Sequence, residues 1–146
     1  MPRVPRRELP DGIYHVTSRG VARSAIARDV LDYSALRAQV RDVIRRFAWK
    51  LFAYCLMPNH YHLIVEAERE LLSAGMHRLN FLHAQRFNRR YNRDGHLFQN
   101  RYGALVIESP EHLVAAIVYV LDNPVRAGLC ERAADWRWSG SALQPD

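Results

Sequence analysis

Lys50-Leu51-Phe52-Ala53-Tyr54-Cys55-Leu56-Met57-Pro58-Asn59-His60-Tyr61-His62-Leu63-Ile64-Val65-Glu66-Ala67 reads as two strands joined by a tight turn. Pro58-Asn59 is the turn, with residues 50–57 before it and 60–67 after it rich in apolar, β-branched and aromatic side chains. The pair is expected to be antiparallel. Strand period places His60 and His62 on one face together with Glu66, and Tyr61, Leu63 and Val65 on the other, where they can pack under helices.

Upstream of this hairpin, residues 13–18 alternate and are closed by Gly20, which predicts a first strand. Residues 29–49 carry Val30, Leu31, Tyr33, Leu36, Val40, Val43, Ile44 and Phe47 at helical spacing, with Asp29 as N-cap. Downstream, residues 72–91 predict a second helix that buries Met76, Leu79, Leu82, Ala84 and Phe87, and 92–95 form a turn. Residues 101–107 predict a fourth strand. Ser109 and Pro110 then open a third helix that runs to about Leu121, where Asn123-Pro124 stops it, and a tail with Trp136 and Trp138 closes the chain. The order strand, helix, strand, strand, helix, strand, helix predicts an α+β fold. Specifically, it predicts a ferredoxin-like split βαβ sandwich: an antiparallel four-stranded sheet, two helices on one face, and an added C-terminal helix.

The 146 residues fit a single domain over 1–146. No run approaches the roughly 20 apolar residues that cross a bilayer, and the basic leader at 1–7 is followed by Glu8, Leu9, Pro10 and Asp11 rather than a signal-peptide core. No membrane association and a cytoplasmic location are expected. Cys55 and Cys130 are far apart and outside any Cys-x-x-Cys pattern, which argues for free thiols rather than a zinc ribbon or a disulfide framework.

The net charge is +6 and the pI about 9.8, yet lysine occurs only once, at Lys50, so arginine supplies nearly all the positive charge. Guanidinium groups grip phosphate bidentately and stack on bases, which suits nucleic acid. From charge alone, a solvated basic surface encoded by a GC-rich genome is an equal reading.

Two constellations carry chemistry. His60 and His62, two apart on a strand, can present both imidazoles to one divalent metal, although a His-x-His pair taken alone also fits two polar residues on a half-exposed strand. Tyr119 and Asn123, four apart on the last helix, share one side of it: the phenol can serve as a nucleophile and the amide can offer an oxygen to the same metal. Taken alone, Tyr119 fits a packing residue with a wet hydroxyl. Arg86, Arg89, Arg90 and Arg93 cluster at the end of the second helix with Arg101 just beyond. Tyr91, His96, Phe98 and Tyr102 lie among them, a mixture that suits phosphates and unstacked bases. Arg19, beside Gly20, can also reach phosphate, and His15 on the same strand reads as a structural neighbour of the site rather than a ligand.

The blocks at residues 14–20, 53–62 and 119–129, the last containing Asn123-Pro124-Val125-Arg126-Ala127-Gly128-Leu129, resemble those of the REP-associated tyrosine transposases. So, in the same order, do 87–91, 95–102 and 136–139, and the resemblance spans nearly the whole chain. One departure lies in the closing block, where Gly140 follows Ser139 in place of a second serine common among relatives.

This resemblance implies that His60 and His62 are metal ligands, Asn123 a third ligand and Tyr119 the nucleophile; Tyr91 and Tyr102 do not occupy the family's nucleophile position. It further implies Mg²⁺ or Mn²⁺ as cofactor, single-stranded or hairpin DNA as partner, and cleavage and rejoining through a 5′-phosphotyrosine. Monomer and homodimer are equally compatible with it. The alternative is a domesticated regulator that binds DNA or RNA hairpins without cutting.

Overall fold

The computed structural model describes residues 11–143, and the basic leader at 1–7 lies outside them. Among the described residues there are five strands: β1 (Gly12–Arg19), β2 (Lys50–Leu56), β3 (His60–Ala67), β4 (Gly103–Val106) and β5 (Ser139–Gly140). Three α-helices accompany them there: α1 (Val30–Arg46), α2 (Arg69–Tyr91) and α3 (Pro110–Arg126). The sheet order is β4-β1-β3-β2-β5, and each neighbouring pair is antiparallel. Its first four strands give the expected ferredoxin-like arrangement.

The fifth strand corrects the expectation of four. Ser139 and Gly140 pair with Cys55 and Tyr54, and Leu56 N–H donates to the Trp138 carbonyl, so the tail covers the outer edge of β2. Two residues are too few to carry an alternating pattern, so nothing local marks them as a strand.

Side chains alternate as the strand period requires. Tyr14 and Val16 from β1, Tyr54 and Leu56 from β2, and Tyr61, Leu63 and Val65 from β3 point toward α1 and α2 and join Leu36, Val40, Val43, Leu72, Met76, Leu79 and Phe87 in the main core. The opposite face carries a smaller apolar layer, in which Ala53, Cys55, Met57 and Ile64 meet Ala116 and Val120 of α3. The central strands are therefore covered on both sides, which explains the near-continuous burial of β3.

α1 starts as expected, with the Asp29 carboxylate accepting from Asp32 N–H at 3.0 Å. α2 begins three residues earlier than the periodicity predicts, because Glu68 at its N-cap makes no side-chain capping bond and gives no signal. Of its expected buried set, Met76, Leu79 and Phe87 are buried, while Leu82 and Ala84 are intermediate and Gly75 and His83 are buried instead. Gly75 is there because Trp49 lies against the helix: a Cβ at 75 would come within 2.3 Å of the indole.

α3 is the element that most alters the expectation. It does not stop at Asn123-Pro124 but continues to Arg126 with Pro124 inside its last turn. The stop comes from Gly128, which adopts φ +75°. Gly128 N–H donates to the Val125 carbonyl and Leu129 N–H to the Pro124 carbonyl, the paired bonds of a Schellman ending. Asn123 thus stays inside a continuous helix and keeps its one-turn relation to Tyr119.

Among the described residues no helix is long and apolar enough to cross a membrane.

Candidate active site

The α3-facing side of β1 and β3 carries the histidines. The hairpin turn sets His60 at the first position of β3, opposite Arg19 of β1, and the pleat returns His62 to the same face, opposite Thr17 and Cys55. α3 crosses this face and brings Asn123 over His60, with Asn123 Nδ2 lying 3.3 Å from His60 Nε2. One turn earlier, the Tyr119 ring stands 6.0 Å from the His62 ring and 6.0 Å from the His15 ring, both edge-on. Tyr119 is about half exposed, at 51%. His60, His62, Asn123 and Tyr119, predicted together from two separate motifs, therefore meet at one place.

The two imidazoles differ in their partners. His60 Nδ1 lies 2.7 Å from Asn59 Oδ1. A carbonyl oxygen only accepts, so the proton sits on Nδ1 and Nε2 turns its lone pair toward Asn123. His62 Nδ1 lies 2.9 Å from His15 Nε2. Burial lowers the pKa of His60 to about 4, with Arg19 adding to it. Burial, followed by His15, His60, Arg126 and Arg19, lowers that of His62 to about 3. Both rings are neutral near pH 7, as metal coordination by imidazole requires.

Among the described residues no three His, Cys, Asp or Glu side chains gather so as to hold an ion. The candidate donor set is instead two imidazoles and one carboxamide. Those three side chains fit a divalent ion chemically: His60 Nε2 presents a lone pair, and His62 Nε2 has no hydrogen-bond partner among the described residues. A half turn of the Asn123 amide places Oδ1 where Nδ2 now stands. Nitrogen donors mixed with a carbonyl oxygen suit Mn²⁺ better than the strictly oxygen-seeking Mg²⁺.

Two residues that sequence reasoning did not place in the site, Arg126 and Asn59, contribute to it. Arg126 stacks its guanidinium 4.0 Å from the centre of the Tyr119 ring, donates to the Tyr119 carbonyl at 2.8 Å and pairs with Asp122 at 3.3 Å. Its spacing of seven from Tyr119, two helical turns, is the signal that would have found it once the helix was carried past Pro124. Asn59 orients His60, and His15, expected as a structural neighbour of the site, contacts His62. The expected neighbour Glu66 shares the face but sits exposed at the far end of β3.

The arginines divide into two groups. Arg90 is held by Asp29 and Asp32 at 2.6 Å each, Arg86 reaches Asp32 at 3.5 Å, and Arg93 donates to Asn88 at 2.6 Å. These three tie α2 to α1 and to its own end. Arg19, Arg89 and Arg101 are exposed, and their side chains make no hydrogen bond or ion pair among the described residues. The segment after α2 folds back against β1, where Gln99 N–H donates to the Arg19 carbonyl and Val21 N–H to the Leu97 carbonyl, so Arg101 follows a segment anchored at the His60 end of the sheet.

Fold and site together define a ferredoxin-like α+β domain that gathers a His-hydrophobic-His pair, an asparagine and a helix-borne tyrosine beneath one helix. The chain belongs to the family described as IS200-like transposases, whose family model matches residues 9–122. It is 23% identical over 121 residues to a Haemophilus influenzae protein named as a REP-associated tyrosine transposase, covering 74% of this chain and 68% of that protein. A solved REP-associated tyrosine transposase bound to a REP hairpin is 21% identical with a TM-score of 0.75, over 95% of this chain and 82% of that one. A Deinococcus radiodurans protein described as a transposase is also 21% identical, with a TM-score of 0.54 over 84% and 97% of the two chains. The resemblance read from the sequence blocks and the fold read from their order are both borne out.

Proposed function

We propose that this chain is a metal-dependent endonuclease and strand transferase for hairpin-containing single-stranded DNA, working through a tyrosyl-DNA intermediate. The observation that carries the reading is the convergence of Asn123 on His60 at 3.3 Å with the Tyr119 ring at 6.0 Å from His62. Family membership makes DNA the substrate class, and the hairpin comes from the related solved protein bound to one.

His60, His62 and Asn123 would hold Mg²⁺ or Mn²⁺, which when bound supplies positive charge to a phosphate's non-bridging oxygens. Tyr119 supplies the nucleophile: its phenol gives up its proton to solvent as the oxygen bonds to phosphorus, the bond from phosphorus to the 3′ oxygen breaks, and that oxygen takes up a proton from solvent. The product is a 5′-phosphotyrosine with a free 3′-hydroxyl. Attack by a 3′-hydroxyl reverses the step, and rejoining needs no nucleotide because the ester bond is conserved. Arg126 holds the tyrosine ring in place and brings a fixed cation to the side where the phosphate must approach. Arg19, Arg89 and Arg101 are the free cations for the flanking strand; Arg86, Arg90 and Arg93 serve it only in so far as their acidic and amide partners release them.

The test is incubation of the full chain with labelled hairpin-containing strands and Mn²⁺, resolved on denaturing gels. The expected result is a protein-linked label that is absent in Tyr119→Phe, His60→Ala and His62→Ala while hairpin binding persists. A wild-type chain that binds hairpins and forms no adduct contradicts the reading and leaves the non-cleaving regulator.

A further inference from the structure

The two candidate ligand histidines share a feature that strand spacing does not require. Each has its Nδ1 occupied by a fixed side chain, Asn59 Oδ1 at 2.7 Å for His60 and His15 Nε2 at 2.9 Å for His62. Each leaves Nε2 as the nitrogen available to the site. For His60 the partner dictates the tautomer, because Asn59 Oδ1 has no proton to give. For His62 the partner is another imidazole, and two arrangements satisfy the contact. If His15 donates, His62 carries its proton on Nε2 and points an N–H at the place where a cation must sit. If His62 donates, its Nε2 carries a lone pair.

Resting on the metal-site reading above, we infer that His15 is a positioning residue whose Nε2 accepts a hydrogen bond from the Nδ1–H of His62 and so fixes the tautomer and ring orientation in which His62 binds a divalent cation through Nε2. His15 is well placed to do this. It is locked on β1 between Ile64 of β3 and Leu105 of β4, and its ring lies 5.1 Å from that of His62 at an interplanar angle of 38°. Its Nε2 is committed to His62, so it is not itself a ligand. Its ring also stands 6.0 Å from that of Tyr119, so the same residue borders metal ligand and nucleophile. Partners at the second imidazole nitrogen are a general means of fixing metal-binding histidines, and their loss weakens affinity roughly 10- to 100-fold.

The experiment measures Mn²⁺ binding to the full chain without DNA, by the electron paramagnetic resonance signal of free Mn²⁺. It compares wild type, His60→Ala, His62→Ala, His15→Phe and His15→Gln. Long-range ¹⁵N–¹H spectra of the wild-type histidines report the tautomer directly. The expected result is an Nδ1–H tautomer for His62, a roughly 10- to 100-fold loss of Mn²⁺ affinity in His15→Phe, and recovery of most of it in His15→Gln, whose side-chain oxygen can accept the same proton. A purely packing role predicts no such recovery. A wild-type His62 protonated on Nε2, or a His15→Phe chain that binds Mn²⁺ as tightly as wild type, overturns the inference and leaves the metal site standing. Mn²⁺ binding that is absent, or unchanged by His60→Ala and His62→Ala, overturns the metal site and the inference with it.

Discussion

His62 is 7% exposed, and burial followed by the neighbouring His15 and His60 lowers its pKa to about 3, against an ordinary value of 6.5. Between those two values the unfolded chain binds a proton that the folded chain refuses, so stability is full above pH 6.5 and falls as the solution is acidified. His60 acts in the same direction down to about pH 4. Each such proton contributes a slope of about 1.4 kcal/mol per pH unit. In urea titrations with chelator present, His62→Gln should flatten the loss of stability between pH 6.5 and 4 by up to one such slope. A variant with the wild-type pH dependence would contradict the buried neutral imidazole. Strand period made the His60–His62 pair legible and helix period the Tyr119–Asn123 pair, while their roles in one site were legible through the family resemblance. The contact of His15 with His62 was not, because it spans 47 residues and depends on how β1 and β3 are registered.

Helix α1 is tied to α2 by Asp32, which is wholly buried and accepts from Arg28 N–H, Arg90 and the Tyr91 hydroxyl at 2.8, 2.6 and 2.6 Å. Burial alone would raise its pKa, but the hydrogen bonds from Tyr91, Arg28 and Arg90 lower it overall, so the carboxylate stays charged. Replacing it with alanine leaves Arg90 with half its partners and the Tyr91 hydroxyl with none. Asp32→Ala should lower the unfolding free energy by about 3 kcal/mol or more in urea titration, and a loss below about 1 kcal/mol would show that the network contributes little. This same network explains why the arginine cluster read as a phosphate track is only partly available. Like charges adjacent in sequence give no sign that Asp29 and Asp32, on a different helix, already hold two of them. The end of α3 was misread for a related reason. Pro124 is a local stop signal because it has no N–H to give back to the preceding turn, yet the helix runs past it and ends where Gly128 takes φ +75°, which keeps both Asn123 and Arg126 on the helix that carries Tyr119.

Across the molecule, the sheet works as a partition. Its α1–α2 face holds the larger core, and its α3 face holds a thin apolar layer next to the polar group of three histidines, a tyrosine, an asparagine and an arginine. The thick side makes β1 and β3 rigid, and that rigidity is what allows side chains from positions 15, 60, 62, 119 and 123 to face one another. The order of elements along the chain was readable because most of them announce themselves by periodicity. The β5 edge was not, because two residues announce nothing. The account as a whole requires Tyr119, and no other tyrosine, to join covalently to DNA. The most direct measurement is to trap the adduct formed with a hairpin-containing strand and Mn²⁺, digest it with a protease that cleaves after glutamate, and sequence the nucleotide-bearing peptide by tandem mass spectrometry. Glu111 separates Tyr102 from Tyr119, so the two fall on different peptides. The account predicts the nucleotide on Tyr119; its recovery on Tyr91 or Tyr102, or cleavage of the strand with no covalent adduct, would contradict it.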